Sequence, residues 1–123
     1  MPRGPVKTYR ETQKVLLNSL LHQSKTLRTN PASAPEVSTA LFGLIPQVEA
    51  LKAASMSMAS STRYNAYVTS KPYGYFSHEI PALCDSIIAC LFHWGDILVY
   101  GDGQRTDGIV VIGIEGVAGR LSV

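Results

Sequence analysis

The chain has 123 residues, 46% of them hydrophobic and 16% charged, with a net charge of +2. That balance suits one folded domain with one core and excludes a disordered polyanion or polycation. Apolar runs such as "SIIACLF" and "IVVIGI" fall short of the roughly 18 residues that cross a bilayer, and the start "MPRG" opens no signal-peptide core, so a soluble, unsecreted protein is expected.

The charge is uneven along the chain. Residues 1–30 carry Arg3, Lys7, Arg10, Lys14, Lys25 and Arg28 against Glu11 alone. From Tyr64 onward Lys71, Arg105 and Arg120 face Glu79, Asp85, Asp96, Asp102, Asp107 and Glu115. A basic start and an acidic end favour attraction of the N-terminal part to a polyanion, an anionic membrane or the acidic half of another copy.

In chain order, Leu16, Leu17, Leu20, Leu21 and Leu27 recur at helical spacing, which predicts a first helix over Tyr9 to Leu27. The "TNPAS" stretch breaks it, and Ser33 with Glu36 three residues later reads as a capping box with Pro35 in the first turn. Val37, Leu41, Leu44, Val48 and Leu51 then form a second stripe, which Pro46 beside Gly43 should kink or split. "AASMSMASS" offers little to pack and is expected to fray into a linker.

"RYNAYVTSK" from Arg63 alternates and predicts a strand; "KPYGYF" turns the chain, and Ser77 is placed as the cap of a helix with Ile80, Leu83, Cys84, Ile87, Leu91 and Trp94 on one side. Gly95 reads as its left-handed C-terminal cap. "DILVY" and "IVVIGI" then read as two strands of a hairpin across "GDGQRTDG", with Gly113, Gly116 and Gly119 marking bends before a last short run, "RLSV". The predicted fold class is α+β: N-terminal helices over 1–60, then a strand-helix-β-hairpin unit with a small antiparallel sheet over 61–123, as one structural unit.

Few motifs carry chemistry. Thr106 stands where a third phosphate-loop glycine belongs, and a strand is expected after it rather than a helix. Asp102 and Asp107 are turn residues, so their grouping with Asp96 and Glu115 reads as turn chemistry rather than acid–base or cation binding. His22, His78 and His93 are scattered, His93 reading as a dipole-compensating residue at a helix end. Cys84 and Cys90, six apart on one helix, point away from each other and read as free thiols. Neither enzymatic activity nor a metal, cofactor or small-molecule substrate is expected. Arg63, Tyr64, Tyr67, Lys71, Tyr73 and Tyr75 form a tyrosine-rich basic stretch that supports an alternative reading, a small RNA-binding module that stacks bases on a strand.

The pieces "YNAYVTSKPYGYF", "ALCDSIIACLFHWGD", "ILVYGDGQR" and "IVVIGIEG", over about residues 63–119, resemble in order the first half of the globular domain of rhabdovirus matrix proteins. "PASAP" is similar to the proline-rich late-domain region that precedes that fold, with Pro31, Ser33, Ala34 and Pro35 in place and Ala32 where a first proline belongs. The resemblance implies a viral structural protein of the host cytoplasm, the cytoplasmic membrane face and the virion. Such a protein self-associates and links anionic membrane to viral nucleoprotein or RNA. Arg3, Lys7, Arg10, Lys14, Lys25 and Arg28 are then the candidate membrane or polyanion contacts, and Leu16, Leu17, Leu20, Leu21 and Trp94 the candidate self-association residues.

Overall fold

The computed structural model describes residues 4–60, 66–101 and 106–122. Every element among them is helical and none is a strand, which overturns the α+β expectation and its antiparallel sheet.

Helix α1 runs Pro5–Thr29, with Pro5 in the first turn where no donor is lost and Gly4 as its extended cap. Asn30 ends it in extended backbone, and its side chain accepts from the Ala32 amide at 3.2 Å, seeding a short 3-10 turn, Pro31–Ser33. Ser33 makes no capping bond to α2, Ala34–Gly43; its hydroxyl bonds backward to the Asn30 carbonyl at 2.6 Å. Of the kink or split expected at Pro46, the chain shows the split. Pro46 has no amide to continue α2, so the ladder breaks at Leu44 and restarts as α3, Ile45–Ala59.

The expected linker after Leu51 is instead the second half of α3. Its small residues are a packing feature: Ala54, Ser55 and Met58 are buried, and the Ser55 hydroxyl donates to the Phe76 carbonyl at 2.6 Å. The expected strand from Arg63 is replaced by a single turn, α4, Ala66–Thr69, while Arg63 to Asn65 lie outside the described residues. Gly74, at φ +83°, is the one described left-handed residue. Its carbonyl accepts from both His78 and Glu79, at 2.9 and 3.1 Å, which opens a wide turn over Tyr75–Glu79. That turn passes directly into α5, Ile80–Tyr100, so Ser77 lies inside helical backbone and is not a cap.

Gly95 does not end α5. It lies within the helix because the Phe42 ring of α2 presses there; a β-carbon at Gly95 would stand 2.5 Å from Phe42 Cζ, and the Ser38 hydroxyl donates to the Gly95 carbonyl at 2.7 Å. "DILVY" is accordingly the last turn and a half of α5, and His93 is an exposed mid-helix residue rather than one at a C-terminus. Tyr75–Tyr100 becomes one helical run, long and apolar enough by composition to cross a bilayer, while its Ile87, Leu91 and Trp94 lie in the protein core.

"IVVIGI" belongs to α6, Thr106–Leu121, in place of the hairpin's return strand. Val110, Ile114, Ala118 and Leu121 are buried at helical spacing while Ile109 and Ile112 face outward, a pattern no strand buried on both faces would give. Of the expected hairpin loop, Asp102 to Arg105 lie outside the described residues, and Thr106 to Gly108 begin α6.

Helix α5 packs on α2, α3 and α6, and α1 packs on α6 and α3. Tyr9, Leu16, Leu20, Leu27, Leu51, Met58, Ile87, Leu91, Ile114 and Leu121 fill one continuous core drawn from both halves of the chain. The helical assignment of α6 gives its glycines opposite mutational signs. A β-carbon at Gly113 would meet the Trp94 indole at 2.7 Å, whereas at Gly116 and Gly119 it would meet nothing within 4 Å. Gly116→Ala and Gly119→Ala should each stabilise the protein by about 0.5–1 kcal/mol, and Gly113→Ala should destabilise it by about 1–3 kcal/mol, read from urea midpoints.

Candidate functional site: a basic face on the first helix

At about 100° per residue, Lys7, Arg10, Lys14, Leu17, Leu21, Lys25 and Arg28 fall within an arc of about 80° on α1. The core residues Tyr9, Leu16, Leu20 and Leu27 occupy a separate face, roughly 120° around. Five of the six basic residues expected to contact an anion therefore share one exposed face; Arg3 lies outside the described residues.

The cations on this face differ in how they are held. The Arg28 guanidinium donates to the Glu115 carboxylate, pinning the end of α1 to α6. The Arg10 guanidinium stands 5.6 Å from the Tyr67 ring centroid. Among the described residues Lys7, Lys14 and Lys25 form no ion pair.

Along the first turns of α1, Val6, Lys7, Arg10, Lys14 and Leu17 line an open groove of about 710 Å³. Its lining also includes Glu11 and Gln13, with Ser122 at the end of α6. Val6 and Leu17 are half-buried against the core and lie on the inner side, whereas the three cations stand on the outer side. The Gln13 amide donates to the Leu121 carbonyl, fixing the end of α6 beside the groove.

The predicted self-association set is divided by the fold. Leu16 and Leu20 are fully buried and Trp94 is 6% exposed, so these three belong to the core rather than to an outer surface. Leu17 is half-buried in the groove, and Leu21, 43% exposed, sits in the middle of the basic face. Pro31, Ser33, Ala34 and Pro35 form the junction between α1 and α2 as helical turns, not an extended segment.

The tyrosine-rich stretch does not form a strand platform. Tyr67 and Tyr75 are half-buried and surround Phe76, at centroid separations of 5.8 and 4.9 Å, while Tyr9 meets Phe76 edge-on at 5.3 Å. Lys71 lies 6.0 Å from the Tyr67 centroid and 5.3 Å from that of Tyr75. Burial raises the pKa values of Tyr67 and Tyr75, with Arg10 pulling Tyr67 back in part. Tyr73 is fully exposed, and Arg63 and Tyr64 lie outside the described residues.

Both cysteines are free, Cys84 buried and Cys90 half-buried. Burial, and then the neighbouring Asp85 carboxylate, push the Cys84 thiol up to about 11. With a thiol-specific disulfide reagent at pH 8, Cys90 should react readily and Cys84 about tenfold or more slowly until the protein is unfolded. Equal fast rates for both would contradict the burial of Cys84. Among the described residues no three metal-ligating side chains converge.

Sequence reading missed the apolar wall of the groove, the role of Tyr9 as an aromatic hub and the Arg28–Glu115 tie. The seven-residue spacing of Lys7, Lys14, Leu21 and Arg28 was the available signal for the shared face. No family model matches the chain, and no curated protein or solved structure matches it, so its functional reading rests on this geometry.

Proposed function

We propose that the chain is a structural protein that binds an anionic membrane surface through the outer face of α1 and assembles with copies of itself there. The observation that supports this reading is the alignment of Lys7, Arg10, Lys14, Lys25 and Arg28 on one face with Leu21 among them and Leu17 at its inner edge. Each lysine or arginine near an anionic leaflet contributes about 1 kcal/mol, and an apolar side chain among them adds contact with the interfacial region. This part of the matrix-type expectation does not require a sheet.

The test is co-sedimentation of the full chain with vesicles, phosphatidylserine-containing against pure phosphatidylcholine, over a salt series. Binding to the anionic vesicles alone, weakening as salt rises, is expected because exposed charges are screened over about 10 Å at 0.1 M. Light scattering of the same samples should show larger species on lipid than in solution. Binding to both vesicle types alike, or capture by an RNA oligonucleotide in preference to vesicles, would contradict the proposal.

A further inference from the structure

We infer that the groove along the first turns of α1 binds one amphiphilic anion, a lipid whose phosphate or carboxylate head meets Lys7, Arg10 and Lys14 while its acyl chain runs along α1 over Leu17. The inference deepens the membrane reading and rests on it in taking the anion to come from a membrane lipid.

Its size is suitable, since about 710 Å³ lies within the roughly 300–1,000 Å³ usual for a small-molecule site. The two chemistries of an amphiphile are also separated in the right sense. Three cations line the outer side, and with Glu11 the described lining residues carry a net charge of two positive, suited to a mono- or dianionic head. The first-turn amides of α1 add to this, because Gly4 supplies no capping side chain. Leu17 lines the inner side beyond Lys14, where a bare phosphate would leave it in water but a methylene chain would cover it.

Two further observations narrow the ligand. The Gln13 bond to the Leu121 carbonyl holds the end of α6 in place, so a wall of the groove exists before any ligand arrives. No aromatic is among the described lining residues, and Tyr67, the ring that Arg10 approaches, is half-buried with Lys71 also near it. A stacked nucleotide is therefore a poorer fit than an acyl chain.

The test is titration calorimetry on the full chain with octyl phosphate below its micellar concentration, with inorganic phosphate and octanol titrated in parallel. Octyl phosphate should bind one to one and about tenfold more tightly than inorganic phosphate, the factor that burial of roughly two methylenes supplies. Lys14→Glu, on an exposed residue, and Leu17→Gln should each weaken octyl phosphate binding, with far-UV circular dichroism confirming that both variants remain folded. Inorganic phosphate binding as tightly as octyl phosphate would overturn the inference, as would octyl phosphate binding unchanged in Lys14→Glu. If vesicles bind but octyl phosphate does not, the groove site falls while the membrane reading stands. If octyl phosphate binds with these dependences but vesicles do not, the membrane reading falls and the groove site stands.

Discussion

Replacing Tyr9 with alanine should cost about 3–5 kcal/mol of folding stability, a large share of the roughly 5–15 kcal/mol that holds a typical domain together. Tyr9 is fully buried on α1, and its ring packs on Phe76 edge-on and lies 6.4 Å from the Tyr67 centroid. Its removal would leave a ring-sized cavity where α1, α4 and the wide turn before α5 meet. Urea unfolding followed by far-UV circular dichroism measures the loss, and a cost under about 1 kcal/mol would mean that the aromatic cluster is not packed as described.

The same residue imposes a pH dependence. Burial, aided by the nearby Tyr75, Tyr67 and Cys84, holds the Tyr9 hydroxyl well above its ordinary 10.0, and Cys84 is raised from 9.0 to about 11. In both cases the folded state keeps a proton that the unfolded state releases first. Their stabilisation is therefore complete below pH 9 and declines as pH rises from there through 11 and beyond. Thermal melts between pH 8 and 11 should show a falling midpoint, with the decline shallower in Cys84→Ala.

The second large effect concerns the surface. Lys7→Glu, Arg10→Glu and Lys14→Glu combined should weaken binding to phosphatidylserine vesicles by at least about 100-fold, since losing three cations near the leaflet alone removes about 3 kcal/mol. Stability should change little, because all three side chains are exposed. Arg10 carries the largest structural cost of the three through its contact with the Tyr67 ring. Retention of binding in the folded triple variant would move the membrane contact to another face.

How legible this was in the sequence depends on segment length. In α1 the leucines repeat over about three turns, and periodicity alone identifies the helix and leaves the basic residues on its outer face. Pro46 likewise must kink or break a helical pattern, and a break falls beside it. The C-terminal half is different, because "DILVY" and "IVVIGI" are too short for their own pattern to separate a strand from a buried helix. What decided them lies outside each run: Ala118 and Leu121 extend the stripe that Val110 and Ile114 begin, and α5 continues through Gly95.

Glycine was the other source of error. Gly95 and Gly113 read as turn or bend residues, but each serves close packing, one under Phe42 and the other under Trp94. A residue without a β-carbon fits both roles, and only the neighbour across the contact distinguishes them. The candidate site was half visible for a related reason. The charges of Lys7, Arg10 and Lys14 stand in the sequence, but the apolar wall and the end of α6 beside them arise from tertiary packing.

The most direct test of the membrane contact is amide line broadening by a spin-labelled lipid in phosphatidylserine-containing bicelles. Lys7, Arg10 and Lys14 should broaden first, followed by Leu21 and Lys25, while Glu49 and Lys52 on α3 stay sharp. Broadening centred on Ile109 and Ile112 of α6, with the α1 amides unaffected, would contradict it.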